Sequence, residues 1–197
     1  MAHSYFYFTT LRCYNEVMKR RIFIAINLPE NIKKKLAEYK DKWDQLDPNL
    51  IRWVAKENLH ITLVFVGYVT DDEMYEVCQI VKDVAKEHNP FIINLERIIL
   101  GPPNKPPRMF WVEGEKSKEI AELQGNLRER IEQRGGARYE AYRPHINLAR
   151  FKQRLVTIQV NEPFKTQISV ETIEIMQSNL KRSGAEYSVL ESVQLGE

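Results

Sequence analysis

Cysteine is nearly missing from this chain: Cys13 and Cys78 are the only two among 197 residues. Two thiols without C-x-x-C spacing cannot build a disulfide framework, although a single bridge stays open, and they fit a reducing compartment. Long apolar runs are missing as well, since no window reaches the roughly 18 uninterrupted apolar residues of a membrane-spanning helix. The aromatic stretch Met1–Val17 contains Tyr5, Phe6, Tyr7, Phe8 and Tyr14 but neither a basic leader nor a continuous apolar segment, so it does not read as a signal peptide. An excess of one charge is also lacking, because 29 basic and 27 acidic residues leave a net +2. That balance excludes the broad positive field of a bulk nucleic-acid packager, and any anion binding must be local. Together these absences predict a soluble, cytoplasmic protein without a membrane segment. What remains, 43% hydrophobic and 28% charged residues, is the composition of an ordinary globular domain. The length suits one folding unit, or two small lobes sharing a cleft.

Alternation and branching in Arg21–Asn27 predict a buried strand, ended by Leu28-Pro29, after which Ile32, Leu36, Tyr39, Trp43 and Leu46 recur at helical spacing. The lysines on the other face of that helix, Lys33 among them, are expected to face solvent. Ile51–Val54 and Leu59–Val66 read as strands. Asp71–His88 reads as an amphipathic helix with acids in its first turn. Phe91–Leu100 resumes strand character before the breaker cluster 101–107, and Arg108–Val112 follows as a further strand. Ile120, Leu123, Leu127 and Ile131 mark a third helix ending at Gly135-Gly136. His145–Phe151 reads as a strand, and Phe164–Met176 and Glu186–Val193 add at least two more, with a turn at Ser183-Gly184. Strands and helices mix without strict alternation, which predicts an α+β fold with largely antiparallel sheets.

One internal echo stands out: Asn58-Leu-His-Ile-Thr-Leu-Val-Phe65 and Arg143-Pro-His-Ile-Asn-Leu-Ala-Arg150 both contain His-Ile-polar-Leu. The copies are separated by 85 residues (145 minus 60), enough for two similar lobes facing one cleft. Strand alternation puts His60, Thr62 and Val64 on one face, and His145 with Asn147 on the equivalent face. Each lobe then offers the cleft one imidazole and one short hydrogen-bonding side chain. In-line displacement at phosphorus needs one group to take a proton from the attacking water and another to give one to the departing oxygen. Two imidazoles titrating near pKa ~6.5 can do both at neutral pH. Thr62, Asn147 and Arg150 are candidate donors to the non-bridging oxygens. Arg150 stands at an odd offset from His145, so a bulge or the strand end must turn it into the cleft. A lone histidine in a strand is more often a core or surface residue than a catalyst; here the matched pair carries the inference. His3 and His88 lack such a context and read as a terminal and a helix-end surface residue.

At these residues the sequence resembles the two-histidine phosphoesterase superfamily, and within it the RNA 2',3'-cyclic phosphodiesterases also described as 2'-5' RNA ligases. Arg21-Ile-Phe-Ile-Ala-Ile-Asn-Leu-Pro29, Arg52-Trp-Val54, Glu57–Leu63, Arg143-Pro-His145 and Leu148-Ala-Arg150 carry the resemblance. It implies a bilobal fold, two pseudo-symmetric lobes with helices on the outer faces and the site between them. It further implies hydrolysis of a terminal cyclic phosphate to a 2'-phosphate without metal or other cofactor, and weak reverse 2'-5' joining. In that scheme His60 is the proton donor and His145 the base, and RNA ends or cyclic nucleotides are the partners of a monomer. An aromatic platform for the terminal base is expected, with Phe65 the first candidate and Tyr142 and Trp111 behind it. Asn147 departs from the family pattern, which has Thr or Ser there. Met1–Val17 falls outside the resemblance and reads as an extension before one domain, 18–197. Two other readings stand beside this one. The Asn147 change permits a non-catalytic RNA-end or nucleotide-binding module, and the histidines could be metal ligands, although Glu57 and Glu140 are the only nearby acids.

Overall fold

A computed structural model describes residues 19–43, 49–103, 105–132, 142–152, 158–181 and 184–197. Branched residues build β1 (Arg20–Asn27), whose Ile22, Ile24 and Ile26 lie in the core and whose Phe23 and Ala25 pack on the opposite face. Pro29 then stops the ladder and opens α1 (Glu30–Ala37), which tightens into a 3-10 turn over Glu38–Trp43. β2 (Ile51–Trp53) leads through a second 3-10 turn, Lys56–Asn58, to β3 (His60–Val69). Thr70 and Glu73 form a capping box that starts α2 (Asp71–Lys86) where the acids predict it. β4 (Phe91–Gly101), β5 (Met109–Gly114), α3 (Lys118–Glu132) and β6 (His145–Phe151) follow.

The chain closes with β7 (Asn161–Val170), β8 (Thr172–Lys181) and β9 (Gly184–Gln194). The stretch read from the sequence as one strand, Phe164–Met176, is thus two. The break falls at the single residue Glu171, where the chain passes from β7 on β4 to β8 on β1, between two branched runs that periodicity alone cannot separate. Ser183, Gly135-Gly136, Leu46, Glu140, Cys13, His3 and Met1–Val17 lie outside the described residues.

All strand pairings are antiparallel, in the order β7-β4-β5-β6-β3-β1-β8-β9, with β2 also on β6. The fold is α+β, as composition and pattern predict. The order divides into two halves, β7-β4-β5-β6 and β3-β1-β8-β9, joined through one residue pair, Ile61↔Ile146. These halves are not successive segments of the chain: β8 and β9 return to the first half after β4–β7 have built the second. The helices cross over too. Helix α1 leaves β1, yet Tyr39 just beyond it donates to Glu162 of β7 at 2.9 Å. α2 and α3 back the other half, through Lys82–Glu191 at 2.6 Å and Gln124 to the Leu63 carbonyl at 3.4 Å. Most of the core lies on this helix-covered face, where full burial of each Ile, Leu or Val contributes roughly 1.5–3 kcal/mol. No described helix is long and apolar enough to cross a membrane.

Candidate active site

His60 and His145 open the two central strands, β3 and β6. With Ile61 facing Ile146, the register sets His60 opposite Asn147 and Thr62 opposite His145. The imidazoles therefore hold diagonal positions on one face, a separation of about 7–8 Å in an antiparallel pair. Ile61 and Ile146 point the other way and are wholly buried.

Beyond each motif the ladder slips by one residue. On β3, Thr62 pairs with Ala25 and Val64 with Ile24, leaving Leu63 without a partner on β1; on β6, Asn147 pairs with Trp111 and Ala149 with Phe110, leaving Leu148 extra. Two consecutive residues in each strand, Leu63-Val64 and Leu148-Ala149, accordingly turn into the core. This corrects the alternation rule, which put Val64 beside His60 and Thr62. The bulge also brings the next residue onto the histidine face: Phe65, 70% exposed, in one strand and Arg150 in the other. The odd offset of Arg150 is resolved in this way, and Phe65 is its structural counterpart.

The face is hollowed into two adjoining cavities. One, of about 390 Å³, runs from His60 past Phe23, Arg21 and Tyr187; the other, of about 600 Å³, runs from His145 past Trp111, Tyr142 and Pro103. Thr62, Phe65, Asn147 and Arg150 line both. All six residues singled out from the sequence thus meet in one cleft, with the four shared side chains between the histidines.

Each ring is held alike. His60 Nδ1 lies 2.7 Å from the Asn58 carbonyl and His145 Nδ1 lies 2.8 Å from that of Arg143. A carbonyl can only accept, so Nδ1 carries the proton and Nε2 is the acceptor of the neutral ring. His60 Nε2 lies 2.9 Å from Thr62 Oγ1. Burial pushes the pKa of both rings below its ordinary value against the raising effect of these carbonyls. The charges of Lys33 and His145 add to the lowering at His60, and that of Arg150 at His145.

Several supporting groups were not foreseen from the sequence. Lys33 is not on a solvated face: it is 8% exposed, its Nζ reaches the Glu57 carbonyl at 3.2 Å, and its charge acts on His60. Asn58 and Arg143 stand at the same place, two residues before each histidine, an equivalence the sequence displays. Asn58 anchors its amide on β9, donating to Ala185 O at 2.7 Å and accepting from Tyr187 N at 3.3 Å. Arg143 binds Glu113 at 3.3 Å, which also holds Arg97 at 2.9 Å and stands opposite His145 in the register. Trp111 stacks on His145, centroids 3.9 Å apart, and is only 7% exposed, while Tyr142 donates to the Thr62 carbonyl at 2.9 Å. Both are committed to protein contacts, and Phe65 alone of the three aromatic candidates has a free face. Asn147 Oδ1 is buried without a partner, so the donors of its amide are the end left for an anion. His88 is half-buried and reaches Asn126 of α3 at 3.0 Å, not a bare surface residue. Among the described residues no three His, Cys, Asp or Glu side chains are grouped to hold a metal ion.

The family model described as LigT like Phosphoesterase matches residues 26–111, a stretch that includes His60 and ends before His145. A Methanocaldococcus jannaschii protein named RNA 2',3'-cyclic phosphodiesterase is 30% identical over 132 residues, 67% of this chain and 72% of its own length. A Thermotoga maritima protein of the same name is 27% identical over 176 residues, covering 86% of this chain and 92% of its own. Among solved structures, a Thermus thermophilus protein superposes with a TM-score of 0.79 at 27% identity, over 89% of this chain and 98% of that one. Escherichia coli LigT complexed with 3'-AMP shares the fold, with a TM-score of 0.75 at 24% identity over 91% of this chain and 100% of that one. A duplicated histidine motif on the two central strands of an antiparallel fold, together with these likenesses, establishes that the chain belongs to the LigT-like phosphoesterases.

Proposed function

We propose that this protein is an RNA 2',3'-cyclic phosphodiesterase that opens the terminal cyclic phosphate to a 2'-phosphomonoester. The observation that carries the reading is the pair of imidazoles on one cleft face, each with Nδ1 tied to a carbonyl, which leaves Nε2 as the reacting nitrogen, at His60 beside the Thr62 hydroxyl. His145 Nε2 takes a proton from water as the water oxygen bonds to phosphorus. The P–O3' bond breaks as His60 Nε2 gives its proton to O3', and the rings exchange protonation states. Arg150 beside His145 favours the neutral ring a base requires. Thr62, Asn147 and Arg150 hold the non-bridging oxygens, where each preorganised donor contributes on the order of 10²- to 10³-fold. Phe65 gives the terminal base a stacking surface. A 5'-hydroxyl in place of water gives weak 2'-5' joining by the same route. In this reading residues 18–197 are one functional domain, acting as a cytoplasmic monomer without metal or other cofactor.

Product analysis after incubation with an oligoribonucleotide ending in a 2',3'-cyclic phosphate, in excess chelator, tests it. The expected product is the 2'-phosphate, with turnover reduced at least 10²-fold in His60→Ala and in His145→Ala. Binding without turnover across pH 5 to 8, or full activity in the double variant, rejects the assignment.

A further inference from the structure

Arg150 has a second arginine directly beside it. β2 runs along β6 with Arg52 paired to Arg150, and Arg150 is paired on its other side with Met109. The neighbours of Arg52 in β2 both face the core: Ile51 is buried, and Trp53 stacks on Phe110 at 5.5 Å and 8°. Arg52 therefore points the opposite way, onto the face where Arg150 and Met109 line the cleft. Val54, two residues on, lines the His60 arm, so the same face continues into it.

Like charges directly opposite on paired strands are destabilising. Both guanidiniums are exposed, and among the described residues no carboxylate pairs with either. Arg143, which also lines the cleft, by contrast reaches Glu113 at 3.3 Å. An unbalanced pair of forked donors at the rim of a phosphate-binding cleft is suited to an anion that arrives with the substrate. A nucleic-acid strand carries a charge every ~3.4 Å of its axis, so a phosphate at the reacting centre brings another close by.

We propose that Arg52, with Arg150, holds the phosphodiester on the 5' side of the terminal ribose and so selects the end of an RNA strand over a free cyclic nucleotide. This rests on the cyclic phosphodiesterase reading and assigns it a determinant of substrate length. Arg150 then spans the cyclic phosphate and its neighbour, while Arg52 contacts the neighbour alone.

The test compares kcat/KM for an oligoribonucleotide with a 2',3'-cyclic phosphate end against that for a cyclic nucleotide with no 5'-phosphate. Wild type prefers the oligonucleotide, and Arg52→Gln loses about tenfold or more of that preference, the worth of one charge-assisted hydrogen bond. Its salt dependence on the oligonucleotide falls by about one counterion. Removal of one of two opposed like charges leaves the thermal midpoint unchanged or higher, which separates the effect from misfolding. An equal loss on both substrates, or an undiminished preference, overturns the proposal. Equilibrium binding of the matching oligonucleotide 2'-phosphate keeps the two readings apart. A wild type that binds it without turning over either substrate defeats the hydrolase assignment, and Arg52→Gln must still bind it more weakly. Equal binding by the two proteins rejects the Arg52 site by itself.

Discussion

At Gly101 the missing side chain is used by a neighbour. A Cβ built there falls 2.2 Å from Cδ2 and 2.6 Å from Cγ of Trp111, a separation real atoms do not adopt. The indole thus lies against bare backbone on one side and stacks on His145 on the other, with ring centroids 3.9 Å apart. Gly101→Ala must push the indole toward the imidazole or displace both. We expect a stability loss of about 1–3 kcal/mol, as for other overpacked sites. A fall in kcat of tenfold or more should exceed any change in KM, because a misaligned base slows chemistry more than binding. Denaturation with steady-state kinetics checks both, and an unchanged kcat would separate Trp111 from the positioning of His145.

Elements act on the site through their ends and irregularities. Ala185 and Tyr187 alternate along β9 and present a carbonyl and an N–H to the Asn58 amide, which takes the place of one more peptide unit on that strand. Asn58 in turn offers its own carbonyl to His60, so the position of that ring depends on how β9 is tied to the 3-10 turn. Asn58→Ala leaves two backbone groups of β9 unpaired, and we expect it to cost about 1–3 kcal/mol. It should also shift the limb of the pH–rate profile that reports His60 while sparing the one that reports His145. Equal displacement of both limbs would contradict a local strap. This level of structure was also the least legible in the sequence. The His-Ile-polar-Leu repeat, both motif strands, the capping acids of α2 and the α+β class could all be read from residue types and spacing. On β6 the odd offset of Arg150 called for a bulge or the strand end, but the bulge on β3 could not be read, since Leu63-Val64 is an apolar pair that fits an alternating strand until β1 fixes the register. The break at Glu171, where the chain changes strand partners, was hidden between apolar runs, and the burial of Lys33 depends on a carbonyl 24 residues away.

For the molecule as a whole, the electrostatic setting of the cleft fixes a direction of pH dependence. Burial and nearby positive charge depress both histidines, so the free enzyme sheds each proton below the ordinary value of ~6.5. The acidic limb of kcat/KM reports the base becoming neutral and the alkaline limb reports the acid losing its proton, so both limbs lie below that value. We expect kcat/KM to be lower at pH 8 than at pH 6. A profile still rising between pH 7 and 8 would show that the fold holds at least one ring protonated.

The path of the chain carries a last consequence. Because β8 and β9 complete the half begun by β1 and β3, while β4–β7 fill the interval, any single cut between the motifs parts β1 and β3 from β8 and β9. A ribosome that has finished His145 has therefore supplied β3 on one side of β1 but not β8 on the other. Neither half of the catalyst is complete until strands beyond the second motif have been made.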